Sequence, residues 1–424
     1  MNRKVRLAAV GISAIVALTL AGCTGGAPSS SGNKDLNSIR FLIGQPEDPA
    51  DPQLTKDDIA KFEKENPKIK VQLDVIPADN VRTVLQTQLR SGDGPDVFGY
   101  DTGPGFAGAL EKAGLLYDLT ASYKKYNWPI YDFAQKRVTF DGKIVGIPDQ
   151  LESVGLFYNK DLFTKAGITA PTNLADLEAG AKKLKAMGVI PFAVSDKEGW
   201  QGGHLLSMAL SSEVGSKGIA DLIAGTTKWD TAPVSNALGV WDRFNKEGLL
   251  TPSPAAITYD NANALFYSGK AAINPTGSWL AQDIERNAKF PVGYIPFPSS
   301  TGTGIFSGGL GAGLFISSST KKSAAALTFL NYQMTAAHGL FEVEKQHSIP
   351  AFPVDTSSVT ASPLFSQIIS DTSKIAAGTG DFGYNIDVLT TDKFNNAMWK
   401  GIQGIFTKQT TPSAVATALQ KTYQ

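Results

Sequence analysis

The residues of this chain best suited to chemistry are acids, amides and indoles set among glycines. Glu198-Gly199-Trp200-Gln201-Gly202-Gly203-His204 interrupts a run of helical and strand patterns. A core tryptophan is normally embedded in apolar periodicity, so a tryptophan between glycines is expected in a loop with one face open. Phe382-Gly383-Tyr384 is a second glycine-spaced aromatic loop. Asp149, Gln150 and Glu152 lie between two apolar runs, Ile144 to Ile147 and Val154 to Tyr158. Carboxylates and amides accept hydrogen bonds in a plane, and aromatic rings offer flat apolar faces. Together they suit a ligand with polar edges and apolar faces.

Other chemistries find less support. There are three scattered histidines, His204, His338 and His347, and one cysteine, so no internal disulfide can form. His204 has no partner at metal-ligand spacing and reads as a helix-start or core histidine. No HExxH, Gly-x-Ser-x-Gly or Walker motif occurs. Ser307-Gly308-Gly309-Leu310-Gly311 is glycine-rich, but no Gly-Lys-Ser/Thr follows, and it reads as a turn before the strand around Leu314 to Ile316. No metal or cofactor is expected.

These groups need a scaffold. A chain of 424 residues exceeds one ordinary core, so two domains are expected. Hydrophobic residues make up 42% and charged residues 18%, a globular balance. Arg3, Lys4 and Arg6 precede an apolar run from Leu7 to Leu20, the pattern of a signal peptide over 1–22. Its removal would leave 36 basic against 39 acidic side chains, a net −3, which does not suit nucleic-acid binding. Residues 23–37, rich in Gly, Ser and Pro, read as a flexible tether. Lys70 to Ile76 alternates as a strand, and Val81, Val84, Leu85 and Leu89 mark one face of a helix. Pro148 ends its apolar run because it lacks an N–H, and the polar residues after it would sit at a crossing between two lobes.

Gly146-Ile147-Pro148, then Glu152, then Leu156-Phe157-Tyr158-Asn159-Lys160-Asp161-Leu162-Phe163 and Lys165-Ala166-Gly167 resemble the solute-binding proteins of bacterial ABC sugar importers, the group containing the maltodextrin binders. Gly92 to Val97, Phe266 to Ile273 and Gly277-Ser278-Trp279 fit the same family, over roughly 38–424. The resemblance implies an α/β fold of two lobes like the periplasmic binding proteins, each a mixed sheet flanked by helices, joined by a three-segment hinge. Lobe 1 would be 38–149 and 298–345, and lobe 2 150–297 and 346–424. Val292 to Pro298 would be the returning hinge strand and Ser348 to Pro353 the third crossing. Leu20-Ala21-Gly22-Cys23 resembles a lipobox, implying lipidation of Cys23 and a protein held outside the cytoplasmic membrane by its anchor.

The family places ligand contacts at Gln45, Tyr100, Asp101 and Trp279, and backbone N–H groups at Gly308 and Gly309. Gln45-Pro46 departs from the many relatives with an aromatic there. Asp101, Glu152, Gln45 and Gln201 could supply hydrogen bonds to hydroxyls, and Trp200, Trp279 and Tyr100 the flat faces. Phe382, Tyr384, Phe394 and Trp399 are candidates for a further cleft aromatic. The implied function is capture of a mono- or oligosaccharide by hinge closure, with delivery to a membrane permease by a monomeric, non-enzymatic protein. The alternatives are a lipid-anchored glycoside hydrolase using Asp101 and Glu152, whose carboxyls would need to stand about 5–10 Å apart, and a binder of a non-sugar solute.

Overall fold

A computed structural model describes residues 36–45, 51–376 and 382–423. The signal segment, Cys23 with the tether as far as residue 35, the loop 46–50 and the segment 377–381 lie outside the described residues.

The described strands are, in chain order, β1 (Ser38–Gly44), β2 (Lys70–Ile76), β3 (Val97–Asp101), β4 (Thr139–Phe140), β5 (Lys143–Ile144), β6 (Gly146–Pro148), β7 (Gln150–Asn159), β8 (Ile190–Phe192), β9 (Ala271–Gly277), β10 (Val292–Ile295), β11 (Ser307–Leu310), β12 (Ala312–Ile316) and β13 (Ile349–Pro350). The first sheet runs β2-β1-β3-β12-β6. β1, β2 and β3 are parallel, because helices Asp51–Glu65 and Ala78–Ser91 carry the chain between them. β12 returns antiparallel between β3 and β6. Ile39, Phe41, Phe98, Phe315 and Phe329 are buried in the core around this sheet, the first lobe.

The second sheet runs β10-β7-β9-β8, with β11 and β13 also paired to β7. β7 is its axis and is buried almost throughout. Side chains alternate across a strand, so Val154 and Leu156 face a core with Phe192, Trp241 and Phe244. Phe157 faces a separate core with Phe266, Tyr294 and Phe365.

The first crossing falls at Asp149, between β6 of one sheet and β7 of the other. The Asp149 N–H donates to the Ala312 carbonyl at 3.2 Å, and its own carbonyl accepts from the Ala351 N–H at 3.1 Å. One residue thus ties together the three segments that join the lobes.

Two details differ from the sequence reading. Val292 to Ile295 is not a hinge strand; it pairs along β7 from Leu156 to Asn159 and stays inside the second lobe. The chain crosses back at Gly311 rather than at 298, since Ser307–Leu310 is a strand opposite Leu151 to Val154 and not an open turn. Glycines 308 and 309, at φ 136° and 106°, let this strand run tight against β7, where a Cβ on Gly308 would meet the Glu152 carbonyl at 2.5 Å.

Candidate functional site

The ends of β1 and β3 open onto a cavity of about 400 Å³ whose walls also include helices Asp51–Glu65 and Ala336–Phe341. Tyr100 and Asp101, the last residues of β3, line it together with Asp149 at the hinge, Arg82, Asp58, His338 and Glu342. Asp101 stays open to cleft water although protein surrounds it, and Asp149 is half-buried. Tyr100 is 6% exposed; its hydroxyl faces Gln86 without reaching full hydrogen-bond geometry, and burial raises its pKa to about 12.

Behind this wall, His338 bridges two acids. Its Nδ1 lies 3.2 Å from Asp58 and its Nε2 3.1 Å from Glu342. The Tyr332 hydroxyl donates to Asp58 at 2.7 Å. Burial alone would push the imidazole down, but the Glu342 charge and the Asp58 contact override it and raise its pKa to about 10. His338 is therefore a buried cation.

The second lobe contributes rings. Trp200 opens the helix Trp200–Ile223 and does not sit in a loop. The Asp196 carboxylate accepts the Gly202 N–H at 2.8 Å and satisfies a free donor of the first turn. Trp200 meets Tyr259 edge-on with centroids 4.8 Å apart, and the Trp279 indole N–H donates to the Tyr259 hydroxyl at 3.0 Å. His204 lies against both indoles, at 5.1 Å from Trp200 and 5.5 Å from Trp279. Both tryptophans remain half-exposed. The Trp279 ring folds back over Gly277, where any Cβ would lie 1.9 Å from it, which gives the Gly-Ser-Trp run a physical reason.

Acids link the two walls. Asp387 Oδ2 stands 3.8 Å from His204 Nε2, too far for a hydrogen bond. Burial drives the His204 pKa down to about 4, so the ring is neutral. Asp101 is pushed up to about 7 by enclosure and then by the Asp387 charge, with Arg82 opposing. Asp387 rises to about 7 through burial, and Asp149 to about 7 through burial and Glu342. Glu152 rises to about 8 through burial and then the Asp101 charge. Its carboxylate lies over Gly311, where a Cβ would meet Oε2 at 2.4 Å. Contacts therefore run from Trp200 and Trp279 through His204 to Asp387, whose charge acts on Asp101 of the first lobe.

The lobes also touch directly. Arg82 of the first lobe pairs with Asp392 of the second and lies over Phe106 at 5.2 Å and Trp399 at 6.0 Å. A Cβ on Gly103 would stand 1.9 Å from the Val388 carbonyl, so the backbones meet closely there. Arg137 reaches over the Tyr384 ring at 5.2 Å.

Of the residues singled out in the sequence, Tyr100 and Asp101 line the cavity, Glu152 adjoins them electrostatically, and Trp200 and Trp279 share one cluster. Gln45 is exposed beyond β1 and is not among the lining residues. Gln201 and Phe382 are buried, at 5% and 8% exposure, the Gln201 side-chain oxygen without a partner. Gly308 and Gly309 stand opposite Ser153 and Glu152 in the sheet. Among the aromatic candidates, Trp399 and Tyr384 take part in contacts between lobes, whereas Phe394 is buried against Trp229. Tyr259, Asp387, His338 and Arg82 join the site without a motif of their own: Arg82 pairs with Asp392 and Asp387 faces His204, both distant in sequence, whereas His338 has one local partner, Glu342 at i+4, beside the distant Asp58. Among the described residues, no three or more His, Cys, Asp or Glu side chains converge to hold a metal, and no helix is long and apolar enough to cross a membrane.

A family model described as bacterial extracellular solute-binding protein matches residues 46–339. A multiple sugar-binding protein of Streptococcus mutans is 28% identical over 368 residues, covering 84% of this chain and 83% of its own length. The maltodextrin-binding protein MdxE of Bacillus subtilis is 28% identical over 315 residues, covering 69% and 68%. The solved structure of a chitin oligosaccharide binding protein aligns with a TM-score of 0.80 at 25% identity, covering 91% of this chain and 98% of that one.

Proposed function

Because this chain belongs to the bacterial extracellular solute-binding proteins, we propose that it captures a mono- or oligosaccharide between its lobes and delivers it to the membrane subunits of an ABC importer. The observation that carries this reading is the cluster of Trp200, Trp279, His204 and Asp387, with the Asp387 charge acting on Asp101 of the first lobe. It supplies flat rings beside a carboxylate and an electrostatic link to the acids of the other wall. A sugar needs both: its C–H faces stack on rings, and its hydroxyls donate to acceptors, most strongly to charged ones. A ligand bonded to both lobes favours the closed arrangement by the difference in contacts it makes there. Asp149, whose backbone joins all three crossings and whose side chain lines the cavity, couples occupancy to the hinge. The relatives named for multiple sugars and maltodextrin support the same ligand class.

The protein acts without catalysis, as a monomer tethered through a lipidated Cys23. Gln45, Gln201, Gly308, Gly309, Phe382 and Tyr384 belong to the rim or support of the cleft, and Tyr100, Asp101, Glu152, Trp200 and Trp279 to its contact surface.

A thermal-shift screen tests the sugar reading. At least one neutral saccharide among galactose, xylotriose, maltotriose, raffinose and chitotriose is expected to raise the melting temperature and perturb tryptophan fluorescence. If no saccharide in a broader panel does either, the reading fails. Release of reducing sugar from aryl glycosides would instead favour the glycosidase. Mass spectrometry of the membrane-extracted N-terminal peptide should find an acylated Cys23.

A further inference from the structure

The cavity in the first lobe has an uneven supply of charge. Four carboxylates line it, Asp58, Asp101, Asp149 and Glu342, against two cations, Arg82 and His338. Both cations are already engaged. His338 is held between Asp58 and Glu342 at 3.2 and 3.1 Å, and Arg82 is paired with Asp392 across the lobes. Asp101 and Asp149 have no salt-bridge partner among the described residues, and Glu152 and Asp387 add two more acids beside them. The buried Tyr100 hydroxyl on the same wall completes no hydrogen bond with protein. Arg137, a cation outside this set, is not among the lining residues; it lies over Tyr384 and keeps Nη1 without a hydrogen-bond partner. The cavity itself is lined by more acceptors than free donors.

Resting on the saccharide reading above, we propose that Asp101 and Asp149 are specificity-determining residues that restrict the ligand to uncharged sugars and exclude uronic acids and sugar phosphates. A hydroxyl donates to an enclosed carboxylate at no charge penalty. A ligand carboxylate or phosphate in the same place would meet a like charge and leave its own acceptors unpaired, which is discrimination by repulsion. Enclosure first, and neighbouring charge second, raises the pKa of the resident acids, Asp101 facing Asp387, Glu152 and Arg82, and Asp149 facing Glu342, Glu152 and His338. An added anion would meet more like charge as pH rises.

Isothermal titration of the full chain with matched sugars tests this. The neutral set is galactose, glucose, xylotriose and maltotriose; the acidic set is galacturonate, glucuronate, glucuronosyl-xylotriose and glucose 6-phosphate. For any neutral sugar that binds, the acidic counterpart is expected to bind at least about tenfold more weakly at pH 8. The gap should narrow at pH 5.5 and in the Asp149→Asn and Asp101→Asn variants. An acidic sugar within tenfold of its neutral counterpart, or tighter, overturns the proposal even if either variant misfolds, because the wild-type comparison stands alone. Binding of an acidic sugar alone also overturns it and leaves the saccharide reading intact. If nothing in either set or in the broader panel binds, the saccharide reading itself falls and this inference falls with it.

Discussion

His338 and His204 are both buried, one in each lobe, and they are held in opposite protonation states. His338 sits between Asp58 and Glu342 and carries a proton, with its pKa raised to about 10. His204 sits between the indoles of Trp200 and Trp279, and burial lowers its pKa to about 4. The same side chain is a counter-ion in a charged wall and a neutral spacer in an aromatic one. The contrast extends to the lobes in degree: the first lines its cavity mainly with charge and one tyrosine ring, and the second gathers two indoles around His204, with Asp387 and Glu152 as its acids. A ligand held by both walls gains contacts that neither wall supplies alone, which gives closure a reason beyond excluding water.

Removing the two imidazoles should separate these roles most sharply. His338→Leu leaves Asp58 and Glu342 buried without their cation, and a loss of about 3–5 kcal/mol is expected in urea unfolding. His204→Leu removes no close ion pair and should cost about 1 kcal/mol, while weakening sugar affinity through loss of support for both indoles. Equal losses would erase the contrast.

The next largest effect falls on binding. Trp279→Ala is expected to weaken saccharide affinity about 100-fold by calorimetry, from lost stacking area and the lost bond to Tyr259. Asp101→Asn keeps an acceptor and should cost a neutral sugar only about tenfold. The reverse ranking would place the main anchor in the first lobe.

Stability against pH distinguishes the histidines again. The folded pKa of His204 lies below its ordinary value, so its contribution is present above about pH 6.5 and is lost as pH falls through 4. The folded pKa of His338 is raised, so its contribution is complete below about 6.5 and is lost as pH rises through 10. The raised cleft acids act in the same direction as His338: Asp101, Asp149 and Asp387 favour the fold at low pH and lose that advantage as pH rises through about 7. Denaturant melts should show the acid-side loss flattened by His204→Gln and the alkaline loss flattened by His338→Gln.

The smallest effect concerns the contact between lobes. Arg82→Ala removes an ion pair that is partly exposed, with Arg82 over Phe106 and Trp399, and should weaken sugar binding about two- to fivefold.

Much of this arrangement was legible in the residues. Pro148 and the polar stretch after it mark the crossing because a proline cannot extend a ladder, and the chain does change sheets at Asp149. Tyr100 and Asp101 follow a strand into the cavity, and Trp279 follows a glycine that its ring requires. Ser307 to Leu310 looked like a turn because glycines carry no side-chain periodicity, yet pairing with β7 makes it a strand. The start of the helix at Trp200 was hidden because its N-cap is Gly199, with no serine or threonine at that position, and the first-turn N–H of Gly202 is met by Asp196 from further upstream. Arg82 with Asp392 and Asp58 with His338 join residues 310 and 280 positions apart, and no local pattern announces such pairs.

Whether one ligand draws the two walls together can be measured as a distance. Nitroxides at Lys124→Cys in the first lobe and Lys217→Cys in the second, both solvent-exposed positions, would report the separation by double electron–electron resonance. With Cys23 replaced, a saccharide shown by calorimetry to bind should shift the distribution to a shorter, narrower peak, and Trp279→Ala should abolish the shift at the same sugar concentration. A distribution unmoved by saturating, calorimetrically verified sugar would contradict closure around a shared ligand.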